Sequence, residues 1–237
     1  VQYLKEGETK VETFTVQSAD GTTHTVTITI TGTNDLPTIA GDDLGAVTED
    51  AANPTLTDSG VLTVTDADAG QSVFVAGNGV ASNGALGSLT ITEGGAWTYN
   101  VANAAVQYLK EGETKVETFT VQSADGTAHT VTITITGTND LPTIAGDDLG
   151  AVTEDAANPT LTDSGVLTVS DADAGQSVFV AGNGTPSAGA LGSLTITEGG
   201  AWTYNVANAA VQYLKEGETK VETFTVQSAD GTTHTVT

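Results

Sequence analysis

The chain has 237 residues and carries 30 acidic residues against 6 basic ones, a formal charge of −24. That field repels nucleic acid and anionic membrane and draws divalent cations. Cysteine is absent, which excludes disulfides and thiolate metal sites. No run of about 18 apolar residues is present, so direct membrane insertion is not expected.

No signal-peptide pattern opens the chain. Hydrophobic residues make up 38% and charged residues 15%, and the apolar residues alternate along the sequence. This is the pattern of a folded, β-rich, strongly acidic protein, not of a disordered one.

An internal repeat organises everything else. Val1-Gln2-Tyr3-Leu4-Lys5-Glu6-Gly7-Glu8 recurs at Val106 and at Val211, a period of 105 residues. Residues 36–132 and 141–237 differ at five of 97 positions: Thr65/Ser170, Val80/Thr185, Ala81/Pro186, Asn83/Ala188 and Ala128/Thr233. The period is too long for a solenoid unit and fits a whole sandwich domain. The reading is therefore a preceding repeat's C-terminal part at 1–35, a complete module at 36–140, and a second module at 141–237 with its last strand truncated. A hairpin alone is marginal in water, so the 1–35 segment needs a partner. The chain, which has no methionine even at position 1, reads as a window on a longer array.

Within 36–140 the elements run as follows. Gly45–Thr48 is a short opening strand. Gly60–Thr65 places Leu62 and Val64 on one face, and Ser72–Ala76 follows the Asp-Ala-Asp-Ala-Gly turn. The stretch from Gly77 to Gly87 is a Gly/Asn/Ser loop. Ser88–Thr92 turns Leu89 and Ile91 inward, and Ala96–Val101 alternates Trp97, Tyr99 and Val101. Asn103–Glu113 breaks the period and predicts about two turns of helix, with Asn103 as N-cap. Lys115–Ser123 turns Phe119 and Val121 inward, Asp125-Gly126 makes a hairpin turn, and His129–Thr136 returns with Val131, Ile133 and Ile135. Seven short strands, apolar on one face and threonine-rich on the other, make an all-β antiparallel sandwich with a short helix before its last hairpin.

Catalytic signals are poor, and no enzyme is expected. The histidines His24, His129 and His234 are one position repeated, on a hairpin strand without a nucleophile motif. The Gly-rich loop at 77–87 precedes a strand, which argues against a phosphate cradle. Carboxylates are more informative because they gather at module ends. In one repeat these are Asn34, Asp35, Asp42, Asp43, Glu49, Asp50, Asp66 and Asp68; in the next, Asn139, Asp140, Asp147, Asp148, Glu154, Asp155, Asp171 and Asp173. Calcium takes six to eight oxygens from carboxylates, amides and carbonyls, and an Asp-x-Asp turn beside an Asn-Asp linker offers that donor set. Asp125, Glu111, Glu113 and Glu117 are read instead as a turn residue and a solvated charged face.

The run Thr-Gly-Thr-Asn-Asp-Leu-Pro, then Gly-Ala-Val-Thr-Glu-Asp, Leu-Thr-Val-(Thr/Ser)-Asp-Ala-Asp-Ala-Gly, Gly-Ser-Leu-Thr-Ile, Trp-Thr-Tyr and Phe-Thr-Val-Gln-Ser-Ala-Asp-Gly-Thr resembles the VCBS repeat of very large secreted bacterial surface proteins, including RTX-type adhesins. The resemblance implies tandem immunoglobulin- or cadherin-like sandwiches, secreted to the bacterial cell surface and stiffened by Ca2+. Asn139-Asp140 and Asp171-x-Asp173 resemble the linker and Asp-x-Asp elements of cadherins.

The expected function is a non-catalytic extender of a giant surface adhesin, each module adding about 40 Å of reach. Its partners would be adjacent identical repeats of the same chain, and neighbouring chains in a fibre. One rival is a self-assembling filament subunit that exchanges strands between modules. Another is a carbohydrate-binding module using loops 77–87 and 182–192, although those loops hold no aromatic residue.

Overall fold

Alternating apolar and β-branched residues build two sets of sheets in the computed structural model, which describes residues 1–237. The chain divides into two compact units, Val1–Val106 with Glu113–Thr136, and Gln107–Gly112 with Gly137–Thr237.

The first unit begins with β1 (Thr9–Gln17) and β2 (Thr23–Thr31), an antiparallel hairpin that pairs with no other strand. After it come β3 (Thr38–Gly41), β4 (Leu44–Thr48), β5 (Thr55–Thr65), β6 (Gly77–Asn78), β7 (Val80–Ala81), β8 (Ser88–Ile91), β9 (Ala96–Ala102), β10 (Thr114–Gln122) and β11 (Ala128–Thr136). One sheet has the order β3-β5-β9-β8-β6 and the other β4-β11-β10-β7. All the pairings are antiparallel except β4 with β11, which run parallel from Leu44–Thr132 to Thr48–Thr136.

The inward faces meet in a core of Leu56, Leu62, Leu89, Ile91, Trp97, Tyr99 and Val101 from one sheet and Phe119, Val121, Val131, Ile133 and Ile135 from the other. These are the faces expected from period-two alternation. Tyr99 and Phe119 meet across them with ring centroids 5.6 Å apart and tilted by 60°, an arrangement that suits the ring quadrupoles.

Five local expectations change. The strand expected from Gly60 starts at Thr55 as β5, and the loop expected over Gly77–Gly87 carries β6 and β7. Ser72–Ala76 is not a strand; its backbone pairs with the sheet only at the bridge of Phe74 with Ser123, while the Phe74 side chain is buried. β3 was not anticipated, because its four residues are held by pairing with the distant end of β5. The helix predicted over Asn103–Glu113 shrinks to one 3-10 turn, Asn103–Ala105, with Ala102 at its N-cap and no side-chain cap. Asn103 is committed elsewhere: its amide donates to Asp50 Oδ1 at 2.8 Å and its Oδ1 accepts the Asp50 N–H at 3.0 Å.

The second unit repeats the plan with β12 (Thr143–Gly146), β13 (Thr160–Ser170), β14 (Gly182–Asn183), β15 (Thr185–Pro186), β16 (Ser193–Ile196), β17 (Ala201–Ala207), α1 (Asn208–Val211), β18 (Phe224–Gln227) and β19 (Thr233–Val236). Its sheets have the orders β12-β13-β17-β16-β14 and β15-β18-β19. The last strand stops at Val236, and residues 149–153 lie outside any strand, unlike their counterparts in β4. No helix is long and apolar enough to cross a membrane.

Candidate cation-binding site

The acidic residues sort into three places in each unit. The first gathers around the linker. Asp68 Oδ2 accepts the Asp35 N–H at 3.0 Å, and Asp66 Oδ1 accepts the Asp68 N–H at 2.8 Å. The second unit repeats this with Asp173 Oδ2 accepting the Asp140 N–H at 3.2 Å and Asp171 Oδ1 accepting the Asp173 N–H at 2.9 Å. Ser72 and Ser177 hold the turn by donating to the Asp66 and Asp171 carbonyls.

Asp125 joins this group, a role the sequence reading gave only to a hairpin turn. Burial opposes its ionisation. Hydrogen bonds from the Ser123 hydroxyl, the Thr127 N–H and hydroxyl, and the Asn34 side chain outweigh that and hold its carboxyl below the usual range. Asp230 is held down in the same way by Ser228, Thr232 and Asn139. Its neighbour Asp171 moves the other way: burial, together with the charges of Asp173 and Asp230, pushes its carboxyl above the usual value despite the Asp173 N–H bond.

Some oxygens in this group have no donor. Asp66 Oδ2, Asp68 Oδ1, Asp171 Oδ2 and Asp173 Oδ1 are buried without a hydrogen-bond partner. A buried carboxylate oxygen left so is costly, and two carboxylates about 4 Å apart repel by roughly 4 kcal/mol at an effective dielectric near 20. A hard divalent cation satisfies both demands, so the donor set fits calcium. No three acidic or histidine side chains are arranged to enclose an ion by themselves. Backbone carbonyl and amide oxygens of the Asn-Asp segment are the further donors at hand.

The second place holds Glu49 and Asp50. Glu49 is buried and its N–H donates to the Thr136 carbonyl at 2.9 Å. Asp50 takes a positive φ of 59° and is bound to Asn103. In the second unit Glu154 Oε2 is buried without a hydrogen-bond partner, and Asp155 is held below its usual value by the Asn208 and Gln212 side chains. Within one unit these residues do not meet the linker group. β5 starts opposite Ala102, beside Asn103, and ends opposite Thr38, so its length of about 33 Å separates the two places.

The third place holds Asp42 and Asp43, which do structural work. The Asp42 carbonyl accepts the Trp97 Nε1–H at 2.7 Å, and the Asp43 carboxylate lies 3.2 Å from His129 Nε2. Asp147 and Asp148 do the same for Trp202 and His234. The acidic groups that the sequence reading gathers at module ends therefore do not converge on one site within a unit.

Glu117 also departs from the sequence reading. It is not on a solvated face but buried, accepting the Leu86 N–H at 2.6 Å, the Gly87 N–H at 3.1 Å and the Tyr99 hydroxyl at 2.9 Å. Burial, and that bond to a carboxylate, push the Tyr99 phenol far above its usual value. Gly87 is required for this approach, since a Cβ there would lie 2.3 Å from the Tyr99 ring.

Two acidic-ended β-sandwiches in near-identical tandem define a repeat protein of the sandwich class. The chain belongs to the bacterial cadherin-like domain family, whose model matches residues 34–137 and again 139–237. Among solved structures, the protocadherin GammaB4 extracellular domain is similar at TM-score 0.46 and 12% identity, with 95% of this chain and 41% of that chain covered. A structure described as a Ca2+-stabilized adhesin that helps an Antarctic bacterium reach out and bind ice gives 0.29 and 20%, over 96% of this chain and 54% of that one. A 1.5-MDa bacterial ice-binding adhesin gives 0.31 and 19%, over 97% and 72%. The chain thus spans less than two thirds of the first two. At these levels none of the three likenesses bears on function. A comparison with curated proteins finds no match.

Proposed function

We propose that the chain is a stretch of non-catalytic extender in a large secreted protein of the bacterial cell surface, of the VCBS-repeat type, stiffened by calcium at its Asn-Asp linkers. Residues 1–35 are read as the end of a preceding repeat, 36–140 as one repeat and 141–237 as most of the next. Near-identity of neighbouring repeats suits a part whose value is length.

One observation carries the calcium reading. Each linker N–H, at Asp35 and Asp140, is tied to an Asp-x-Asp pair with buried carboxylate oxygens that have no donor. Asp66, Asp68 and Asp125 with Asn34 and Asp35 would hold an ion in the first unit, and Asp171, Asp173 and Asp230 with Asn139 and Asp140 in the second. The ion supplies positive charge to crowded carboxylates and stabilises the folded linker by mass action, about 2.7 kcal/mol at a hundredfold excess over its dissociation constant.

The test is scattering and calorimetry with calcium and with chelator. Chelation is expected to shorten the maximum dimension and lower the melting temperature by roughly 10–20 °C, since 1 kcal/mol shifts a domain of this size by about 4–8 °C. Unchanged dimensions and melting would remove calcium from the account.

A further inference from the structure

The differences between the two repeats gather at one turn. Of the five positions at which residues 36–132 and 141–237 differ, Val80/Thr185, Ala81/Pro186 and Asn83/Ala188 lie on β7 or β15 and the turn that follows. The first unit carries Asn83-Gly84 at that turn, and the second carries Ala188-Gly189. Two further Asn-Gly pairs, Asn78-Gly79 and Asn183-Gly184, begin in the short strands just before, β6 and β14.

An asparagine followed by glycine is open to attack by its own backbone, because glycine has no Cβ to shield its nitrogen. The glycine nitrogen adds to the asparagine Cγ, ammonia leaves, and a succinimide ring closes. Water then opens the ring at either carbonyl, giving aspartate or isoaspartate. The reaction needs a glycine N–H that is not hydrogen-bonded and a backbone free to rotate. The fold therefore decides which pair reacts.

The three pairs differ in this respect. The Gly79 N–H donates to the Leu89 carbonyl and the Gly184 N–H to the Leu194 carbonyl, both at 2.9 Å. Asn78 and Asn183 are themselves paired with Thr90 and Thr195. Asn83 and Gly84 are both exposed and outside any strand, and the Gly84 N–H donates to no acceptor. A single bond closes their turn, from the Ala85 N–H to the Ser82 carbonyl at 3.2 Å, with Gly84 at a φ of 78°. That is the glycine position of a type II turn.

We infer that Asn83 is a site of spontaneous deamidation, converted by water alone while the sheets hold back Asn78 and Asn183. The new carboxylate, and in isoaspartate an added backbone methylene, fall between two anchors of the loop. On one side the Ser82 N–H donates to the Thr118 carbonyl at 2.8 Å. On the other, the Leu86 and Gly87 N–H groups bond Glu117. Lengthening the backbone between fixed anchors loosens the grip of Glu117, so the first unit weakens as the chain ages. The second unit has Ala188 in the same turn, closed by the Ala190 N–H on the Ser187 carbonyl at 3.1 Å, and has no amide there to lose.

The experiment holds the 237-residue chain in warm, mildly alkaline buffer and follows it by peptide mapping with mass spectrometry, reading isoaspartate by enzymatic methylation. In the folded chain Asn83 is expected to convert at least about tenfold faster than Asn78 or Asn183, whose glycine amides must first leave their sheets. In urea the three rates are expected to converge, because only the fold sets them apart. Calorimetry on the same samples should show the first unit's transition falling as Asn83 converts, while the second unit's stays in place. A chain bearing Asn83→Ala should keep both transitions over the same period. An Asn83 that stays intact, equal rates at the three sites in the folded chain, a gap that persists in urea, or a first transition unmoved after full conversion would each overturn the inference.

Discussion

Replacing Glu117 by alanine tests whether a buried carboxylate, more than apolar packing, fixes the loop that carries Leu86 and Gly87. Glu117 is 1% exposed and accepts three hydrogen bonds, from the Leu86 and Gly87 N–H groups and from the Tyr99 hydroxyl. The substitution leaves three donors without their acceptor, the Tyr99 hydroxyl buried and the Leu86 and Gly87 N–H groups part-buried, each costing about 1–3 kcal/mol, so the loss should be roughly 3–9 kcal/mol. That is a large share of the roughly 5–15 kcal/mol that holds a domain folded. At about 4–8 °C per kcal/mol the first unit should melt at least roughly 12 °C lower. The second unit is the internal control, because Glu222 makes the same bonds to Leu191, Gly192 and Tyr204. Calorimetry should therefore show a transition moving down while the second unit's transition stays in place. A shift below about 2 °C would mean that these hydrogen bonds contribute little, and the account of the loop would fail.

Asp171→Asn should raise the melting temperature of the second unit in chelator, because the wild-type carboxylate is buried against Asp173 and Asp230. The same variant should lose most of the gain from calcium, and a variant that kept the full gain would remove Asp171 from the site. Gly87→Ala should destabilise the first unit by about 1–3 kcal/mol through overpacking against Tyr99. Urea unfolding reads this directly, and an unchanged midpoint would show that the ring gives way without cost.

The long alternating strands were legible because their pattern is local. β8, β9, β10 and β11 fall within a residue or so of the positions expected from period-two alternation. β3 and the failed helix were not legible, since both outcomes depend on partners far along the chain: β5 for the first, Asp50 for Asn103. The candidate site divides the same way. Asp66, Asp68 and the Asn-Asp linker stand out because short spacing puts their oxygens together. Asp125 was hidden by a sufficient local explanation, the Asp-Gly turn, and only the fold brings it to Asn34. Glu117 was hidden by its neighbour Lys115, while the N–H groups that hold it lie about thirty residues away. Sequence pattern reports which face a residue takes and says little about what waits on that face.

The parallel pairing of β4 with β11 has a mechanical consequence. These strands lie near opposite ends of one repeat, and they run side by side over five positions. Tension applied along the chain draws β4 one way and β11 the other, parallel to their common axis. The rungs between them are then loaded together in shear, whereas a hairpin pulled from its open end would unzip one rung at a time. A repeat joined in this way resists stretching at the point where the pull enters and leaves it.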